Sequence, residues 1–283
     1  MLLITDIVIL GLVIRKEEKH MIITFGNFKG GVGKTTTTAL FSYLLSQNKD
    51  YKVLAVDTDP QANLTETLAL TFNADLDPEK NIFENCFSDD NNTSHYIQSL
   101  SDNLDILAGS WDMIGFEEKT FSIFTKDTWL YVLSDVVNSV ADNYDFILID
   151  TAPTTNLVMD NVLVLTDYIL ITTQTVPLAY QSTEKFYDYL LDMYSDDTTH
   201  FELIGVLPYL VGRSTTDERQ LEKYTEIFGE SLFKNHIRQS DRVKTWSDFG
   251  ITTDKSYDKK TLGMYSDVVN EALERIENYE TIK

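Results

Sequence analysis

The clearest chemical signal in the sequence is a glycine-rich stretch, GGVGKTT, at positions 30–36. It follows an apolar run that starts at Met21, and a helical pattern starts at Lys34. In this context glycines let backbone N–H groups point at phosphate oxygens, and the helix N-terminus adds its positive dipole end. Lys34 is expected to reach the β and γ phosphates, Thr35 to ligate Mg²⁺, and Thr36 to lie near the α phosphate. The predicted nucleotide-binding residues are Gly30, Gly31, Val32, Gly33, Lys34, Thr35 and Thr36.

Two further segments place carboxylates directly after apolar runs of strand length. The run KVLAV leads into DTDPQAN at 57–63, and DFILIDTAP at 145–153 has the Walker B form ending in Asp150. Open α/β sheets bind ligands at the carboxyl ends of their strands, so these carboxylates are candidates for a Mg²⁺ site. Asp150 is expected to hold Mg²⁺ through water, because Mg²⁺ keeps several of its waters. Taken alone, DTDP could also be an ordinary acidic turn.

Position 28 separates this loop from the general motif G-x-x-x-x-G-K-[ST], because Phe28 stands where that motif has glycine and Lys29 follows it. The stretch KGGVGKT matches the deviant form K-G-G-x-G-K-[ST]. DTDPQAN is similar to the segment D-x-D-P-Q-G-N, with Ala62 in place of the usual glycine. On these motifs the sequence resembles the ParA family of partition ATPases, to which MinD and nitrogenase iron protein are related. The resemblance covers roughly residues 21–275.

The resemblance implies how the two lysines divide their work. Lys34 would serve the ATP of its own subunit, whereas Lys29 would reach across an ATP-sandwich homodimer to the nucleotide of the partner. The alternative for Lys29 is a solvated loop lysine. The resemblance also implies that Asp59 orients the attacking water and that Asp57 supports Mg²⁺. The implied catalytic residues are Lys29, Lys34 and Asp59, and the implied metal ligands are Thr35, Asp57 and Asp150.

A later segment, HIRQSDRVKTWSDFG at 236–250, resembles the family segment I-P-R-x-x-R-x-x-E, although I-R-Q stands here for I-P-R. In ParA-type dimers such residues bind DNA without sequence preference, which implies a role for Arg242 and for Arg238 or Lys244 nearby. Arg213 corresponds to a further family DNA contact. For Arg213 and Arg242 the alternative is a surface salt bridge.

Apolar runs of strand length alternate with amphipathic stretches, which predicts an α/β fold with a doubly wound, mostly parallel sheet and helices on both faces. The resemblance makes this a P-loop NTPase of the ParA/MinD type. Strands are expected at 21–25, 53–56, 104–107, 146–149, 168–172, 203–209 and near 232–237. Helices are expected at 34–47, 63–70, 128–141, 183–194, 219–228 and 262–278. Residues 21–283 are predicted to form a single domain, preceded by an N-terminal extension, 1–20, that is expected to be dispensable.

Charge is distributed unevenly along the chain. The formal net charge of −22 argues by itself against nucleic-acid binding. Residues 66–118 hold twelve acids against one lysine, a net of −11, whereas residues 234–260 hold seven bases against four acids, a net of +3. The chain therefore has a local basic segment. The lone Cys86 excludes an internal disulfide, is expected to be buried, and favours a reducing, cytoplasmic compartment.

The resemblance implies an ATPase that segregates DNA and associates with the nucleoid, with a ParB-like centromere-binding partner that stimulates hydrolysis. One alternative is a MinD-like or cargo-positioning ATPase that acts on a membrane or protein surface. However, the chain ends ALERIENYETIK, which is acidic and poor in large apolar residues, so no stable membrane association is expected. A second alternative is a nucleotide-gated module that represses its own operon.

Overall fold

The structure is a computed structural model that describes residues 20–89, 92–195 and 198–282. For Lys244, Ser247 and Ile282 it describes the backbone but not the side chain. The strands are β1 Met21–Gly26, β2 Val53–Asp57, β3 Gln98–Ser101, β4 Leu104–Leu107, β5 Phe146–Asp150, β6 Tyr168–Thr173 and β7 Glu202–Pro208. The helices are α1 Lys34–Asn48, α2 Asn63–Phe72, α3 Ile82–Phe87, α4 Phe116–Ile123, α5 Val132–Asn138, α6 Leu157–Leu165, α7 Pro177–Ser195, α8 Thr215–Phe228, α9 Asp241–Phe249 and α10 Ser256–Ile282.

In the described residues the strands form one seven-stranded sheet in the order β3-β4-β2-β5-β1-β6-β7. All neighbouring pairs are parallel except β3 and β4. Strand β1 lies between β5 and β6, so both of its edges are paired, and its residues pack into the cores on both faces of the sheet, which explains its mostly apolar sequence. The predicted doubly wound, mostly parallel fold is confirmed.

Helices cover both faces of the sheet. One face packs against α1, α2, α9 and α10 through a core that includes Phe25, Leu68, Trp246 and Val268. The opposite face packs against α3 to α6, and α7 and α8 close the β6–β7 end. Cys86 lies buried on α3, as expected, and burial raises the pKa of its thiol.

The predicted strand near 232–237 is wrong. Within this segment Leu232 makes one isolated bridge, to Val206 of β7, and the next bridge, Val211 with Arg238, joins residues that follow the sheet and the segment. Side chains of α10 take the backbone groups that a strand would pair: Arg275 donates to the carbonyls of Ser231 and Leu232, and Glu271 accepts from the N–H groups of 234 and 235. With those groups already bonded, no ladder can extend.

Other boundaries differ because tertiary contacts override local pattern. The helix expected at 128–141 is shortened to α5. Helices α7, α8 and α10 contain the ranges predicted at 183–194, 219–228 and 262–278, respectively, and each begins earlier than predicted. The short antiparallel strand β3 was not predicted, since QSLS is half exposed and polar. Helices α3, α4, α6 and α9 were also not predicted from the sequence.

Candidate functional site

The phosphate loop lies between β1 and α1, where the sequence placed it. Gly31 and Gly33 have positive φ angles of 78° and 94°, which residues with side chains rarely adopt. A Cβ at Gly33 would also lie 2.6 Å from the ring of Tyr209. Asn27 is buried and ties the loop to β6, donating to the Thr172 carbonyl at 2.8 Å and accepting from the N–H of Lys29 at 2.9 Å. These contacts fix the conformation of the loop between β1 and α1.

The two lysines of the loop have different surroundings. Lys34 is 6% exposed, and its Nζ lies 3.5 Å from the carbonyl oxygen of Lys29. Burial lowers the pKa of the Lys34 ammonium, against the opposing charges of Asp150 and Asp59. Lys29 lies at the surface, where its Nζ contacts the Gly30 carbonyl at 3.3 Å. Lys34 is thus buried, whereas Lys29 is only partly buried.

The carboxylates lie together beyond the ends of two adjacent strands. Asp57 of β2 is in register with Asp150 of β5, and both are fully buried. Asp57 accepts hydrogen bonds from the N–H and the hydroxyl of Thr65 at 2.9 and 2.8 Å, and burial raises its pKa to about 6. Asp59 is 9% exposed and accepts from the N–H of Gln61 at 3.0 Å. The site therefore concentrates three carboxyl groups beside one buried ammonium.

Asp150 has the geometry of a cation ligand. Its Oδ2 accepts from the Thr35 hydroxyl at 2.6 Å, while its buried Oδ1 has no hydrogen-bond partner among the described residues. Burial and the charge of Asp57 raise the Asp150 pKa well above its usual value, so a nearby cation would relieve a large cost. Within the described ranges no group of three or more His, Cys, Asp or Glu side chains could hold a metal. Mg²⁺ is commonly bound by one or two carboxylates together with water and substrate phosphates, and Asp150 beside the Thr35 hydroxyl offers groups of this kind.

The predicted DNA-binding residues divide into two sets. Arg213 and Arg238 are exposed, and the bridge between Val211 and Arg238 brings their segments together beside His236, along a cavity of about 370 Å³. Arg242 of α9 instead pairs with the buried Asp258, with Nε and Oδ1 2.9 Å apart, and its guanidinium lies over the ring of Tyr257. Lys244 lies on α9, and its side chain is outside the described part of the structure.

Four residues to which the sequence analysis gave no role in the site help to shape it. Phe28 packs against Phe186, with ring centroids 4.9 Å apart, so the residue that breaks the general motif anchors the loop. Gln174 donates to the Gly31 carbonyl at 2.8 Å, Tyr209 covers Gly33, and Thr65 holds Asp57. Gln174 and Tyr209 directly follow β6 and β7, and that position was the available signal, because ligand sites in such sheets lie at the carboxyl ends of strands.

A phosphate loop after β1, flanked by carboxylates that end β2 and β5, defines a P-loop NTPase of the ParA/MinD type. Apo McdA from Cyanothece has this fold, with a TM-score of 0.79 and 21% identity, over 90% of this chain and 99% of that one. A putative plasmid partition protein of Borrelia burgdorferi, solved with AMPPNP, has a TM-score of 0.75 and 22% identity, over 91% of this chain and all of that one.

A family model named AAA_31, described as an AAA domain, matches residues 20–203, which is more than half of the chain. The chain therefore belongs to this AAA-domain family, and the resemblance to ParA-family ATPases is confirmed. No helix in the described residues is long and apolar enough to cross a membrane.

Relatives with partition or replication names support the same grouping. A putative replication protein A of Rhizobium rhizogenes is 29% identical over 84% of this chain, which spans 61% of that protein's length. The sporulation initiation inhibitor protein Soj of Bacillus subtilis is 27% identical over 78% of this chain and 85% of its own length. The virulence plasmid ParA family protein pGP5-D of Chlamydia psittaci is 24% identical, over 78% and 82% respectively.

Proposed function

We propose that this protein is an ATPase that segregates DNA, in which Mg-ATP closes a homodimer that binds DNA without sequence preference. The observation that carries the nucleotide part is the buried Asp150, which accepts from the Thr35 hydroxyl and keeps a second oxygen free beside Lys34. A structure of a plasmid partition protein with the same fold and a bound ATP analogue supports this reading.

In this proposal the loop residues bind the triphosphate. Backbone N–H groups of Gly30, Gly31, Val32 and Gly33 face the phosphate oxygens, and the α1 N-terminus adds its dipole. The Lys34 ammonium contacts the β and γ phosphates, and the Thr36 hydroxyl lies near the α phosphate. Thr35, Asp57 and Asp150 hold Mg²⁺, directly or through water. When bound, Mg²⁺ neutralises charge on the β and γ oxygens.

Hydrolysis is assigned to one carboxylate and two lysines. Asp59 lies at the mouth of the site and accepts from the Gln61 N–H, which fixes the direction of its carboxylate, so it can orient a water toward the γ phosphate. Lys34 stabilises the charge on the phosphates of its own nucleotide. Lys29, which is accessible at the surface, does the same for the nucleotide held by the partner subunit.

DNA binding is assigned to the basic residues near the ends of β7 and α9. Arg213 and Arg238 are exposed on adjoining segments, which supports a shared phosphate contact. Arg242 and Lys244 of α9 are assigned to DNA contact as well. A dimer doubles the surface, so two weak patches together gain affinity that one lacks. The net charge of −22 keeps the binding weak and sensitive to salt.

The biological setting follows from the same assignment. The ATP-bound dimer covers nucleoid DNA in the cytoplasm, and a ParB-like, centromere-binding protein stimulates hydrolysis and releases the dimer. The cargo is a low-copy replicon such as a plasmid. The names of the Borrelia and Chlamydia proteins support this setting.

The deciding experiment is binding to random-sequence duplex DNA in Mg²⁺, with a slowly hydrolysed ATP analogue or with ADP, over a salt series. We expect binding with the analogue alone. Arg213→Ala should weaken it at every salt concentration and lower the salt slope by about one. Lys185→Ala, which removes an exposed lysine of α7, is the control and should leave binding unchanged.

Three results would contradict the proposal. Absence of DNA binding in both nucleotides at low salt would remove the DNA part of the proposal. Binding to liposomes in ATP, without DNA binding, would instead favour a MinD-like ATPase. Equal DNA binding in ATP analogue and ADP would leave a DNA-binding protein without a nucleotide switch.

A further inference from the structure

Helix α2 touches the nucleotide site with its first turn. Thr65 donates both its N–H and its hydroxyl to Oδ2 of the buried Asp57, at 2.9 and 2.8 Å. The same hydroxyl accepts from the N–H of Gly109 at 2.9 Å. The residue before the helix, Ala62, has a φ of 52°, so the turn from Asp59 into α2 is held in a conformation unfavourable for alanine. The start of α2 is thus coupled to any change in the hydrogen bonds of Asp57.

The other end of α2 touches the end of α9. The Thr71 hydroxyl donates to the Thr67 carbonyl at 2.7 Å and accepts from the N–H of Ile251 at 2.9 Å. Gly250 has a φ of 79°, and a Cβ there would lie 2.6 Å from the Thr71 nitrogen, so the two backbones are in close contact. Helix α2 is short, because its ten residues span about 15 Å.

Apolar packing joins the two helices along their length. Leu64 and Leu68 of α2 are fully buried in the same core as Val243 and Trp246 of α9 and Ile251 after it. Because protein cores pack at crystal-like density, α2 cannot shift without displacing α9. Helix α9 in turn carries Arg242, which is held by Asp258 and Tyr257 of α10.

We propose that α2 transmits the state of the nucleotide site to α9. Rearrangement of the Asp57 carboxylate around Mg-ATP changes its bonds to Thr65 and displaces the first turn of α2. The Thr71–Ile251 contact passes that displacement to α9, which alters the pairing of Arg242 with Asp258 and so its availability to DNA. The DNA part of this inference rests on the proposed function, whereas the coupling of α2 to α9 can be measured without DNA.

The indole of Trp246 offers a direct measurement, because it is 1% exposed and its Nε1 donates to the Thr252 hydroxyl at 3.2 Å. In a chain with Trp111→Phe and Trp129→Phe, Trp246 is the remaining tryptophan. We expect its fluorescence to change with Mg²⁺ and AMPPNP but not with Mg²⁺ and ADP. Thr71→Val should abolish the change while the affinity for a fluorescent ATP analogue stays within about twofold, and Thr71→Ser should restore it.

The matched control is Thr225→Val on α8. Thr225 makes the same hydroxyl bond to the carbonyl four residues earlier, at 2.9 Å, but lies exposed. It should leave the Trp246 response intact. Thr65→Val, which removes one donor to Asp57 at the opposite end of α2, should weaken the response and decides the matter if Thr71→Val does not fold.

The inference is overturned if AMPPNP binds without changing Trp246, or if folded Thr71→Val keeps the full response. DNA binding to random duplex, measured in parallel, separates the two proposals. A Trp246 response that requires Thr71, in a protein that binds no DNA, would sustain the coupling and reject the DNA function. If AMPPNP gates DNA binding equally in wild type and in Thr71→Val, the DNA function is sustained and control of DNA binding through α2 is rejected.

Discussion

At the level of single residues, surroundings distinguish side chains of identical type. Lys34 is buried beside Asp150 and Asp59, so its charge interacts with groups inside the site, whereas Lys29 lies at the surface of the same loop. Asp57 and Asp150 are fully buried, whereas Asp59 borders a cavity of about 410 Å³. Burial thus separates groups suited to holding a cation from the group with room for a water.

The first prediction concerns the two lysines. Lys34→Ala should weaken nucleotide binding about 10- to 150-fold, because a hydrogen bond to a charged group contributes about 1.5–3 kcal/mol. Lys29→Ala should leave the affinity of the monomer for nucleotide unchanged and abolish the ATP-dependent dimer. Fluorescent-nucleotide titration and sedimentation measure the two effects. Equal loss of nucleotide affinity in both variants would show that Lys29 serves its own subunit.

The second prediction concerns Asp59. Asp59→Ala should lower kcat by about 10²- to 10⁴-fold, the usual contribution of a positioned carboxylate, while the ATP-bound dimer persists. Steady-state phosphate release and sedimentation are the measurements. Asp112→Ala, which removes an exposed carboxylate of the acidic segment, is the control. Normal turnover by Asp59→Ala would reject the catalytic assignment.

At the level of elements, α10 organises the chain after β7. Arg275 pairs with Glu271 at 2.8 Å, and together they bond the backbone of residues 231–235. Burial would raise the pKa of Glu271, but the N–H groups of Asn235 and Lys234 and the charge of Arg275 outweigh burial and lower it. The same pair explains why no strand forms there.

The third prediction follows from that pKa. The Glu271 carboxyl binds a proton more readily in the unfolded chain than in the folded one. The stabilisation that the Glu271 carboxylate gives to the fold is therefore present above about pH 4.5 and is lost as the pH falls through the lowered pKa of the folded state. Glu271→Gln should lower the free energy of unfolding at pH 7 by about 3 kcal/mol and flatten its decline in acid. Urea unfolding at pH 7 and pH 4 tests this. Glu274→Gln, an exposed neighbour, should match wild type; an unchanged acid decline in Glu271→Gln would refute the assignment.

At the level of the whole molecule, β1 lies inside the sheet, between β5 and β6. Met21 opens β1 and pairs with Phe146, and its N–H donates to the Asp145 carbonyl at 3.0 Å. The family match begins at residue 20. The division into an extension, 1–20, and a domain, 21–283, remains a prediction, because residues 1–19 lie outside the described ranges.

The fourth prediction tests that division. A chain that begins at Met21 should change the free energy of unfolding by less than about 0.5 kcal/mol, because the contact of His20 with Asp142, at 3.6 Å, involves a fully exposed carboxylate and such surface pairs contribute little. It should also bind ATP normally. Thermal unfolding and nucleotide titration are the measurements. Loss of folded protein would show that residues 1–20 belong to the domain.

Local sequence determined the parts of this protein whose physics is local. Positions 31 and 33 have positive φ angles, which favour glycine, and Asp57 and Asp150 directly follow apolar runs. The sequence alone therefore predicts the loop, the strands and the candidate metal ligands. Helix α1 and strands β1, β2, β4 and β5 matched expectation to within one residue at each end.

Tertiary structure decided what depends on residues distant in the chain. Phe28 anchors on Phe186, Tyr209 covers Gly33, Arg275 prevents a strand at 232–237, and Asp258 neutralises Arg242. Each contact joins side chains separated in sequence, and no local pattern encodes its partner. A motif can therefore state which groups meet a phosphate, whereas burial and pairing, which fix the charge each group presents, exist only once the chain is packed.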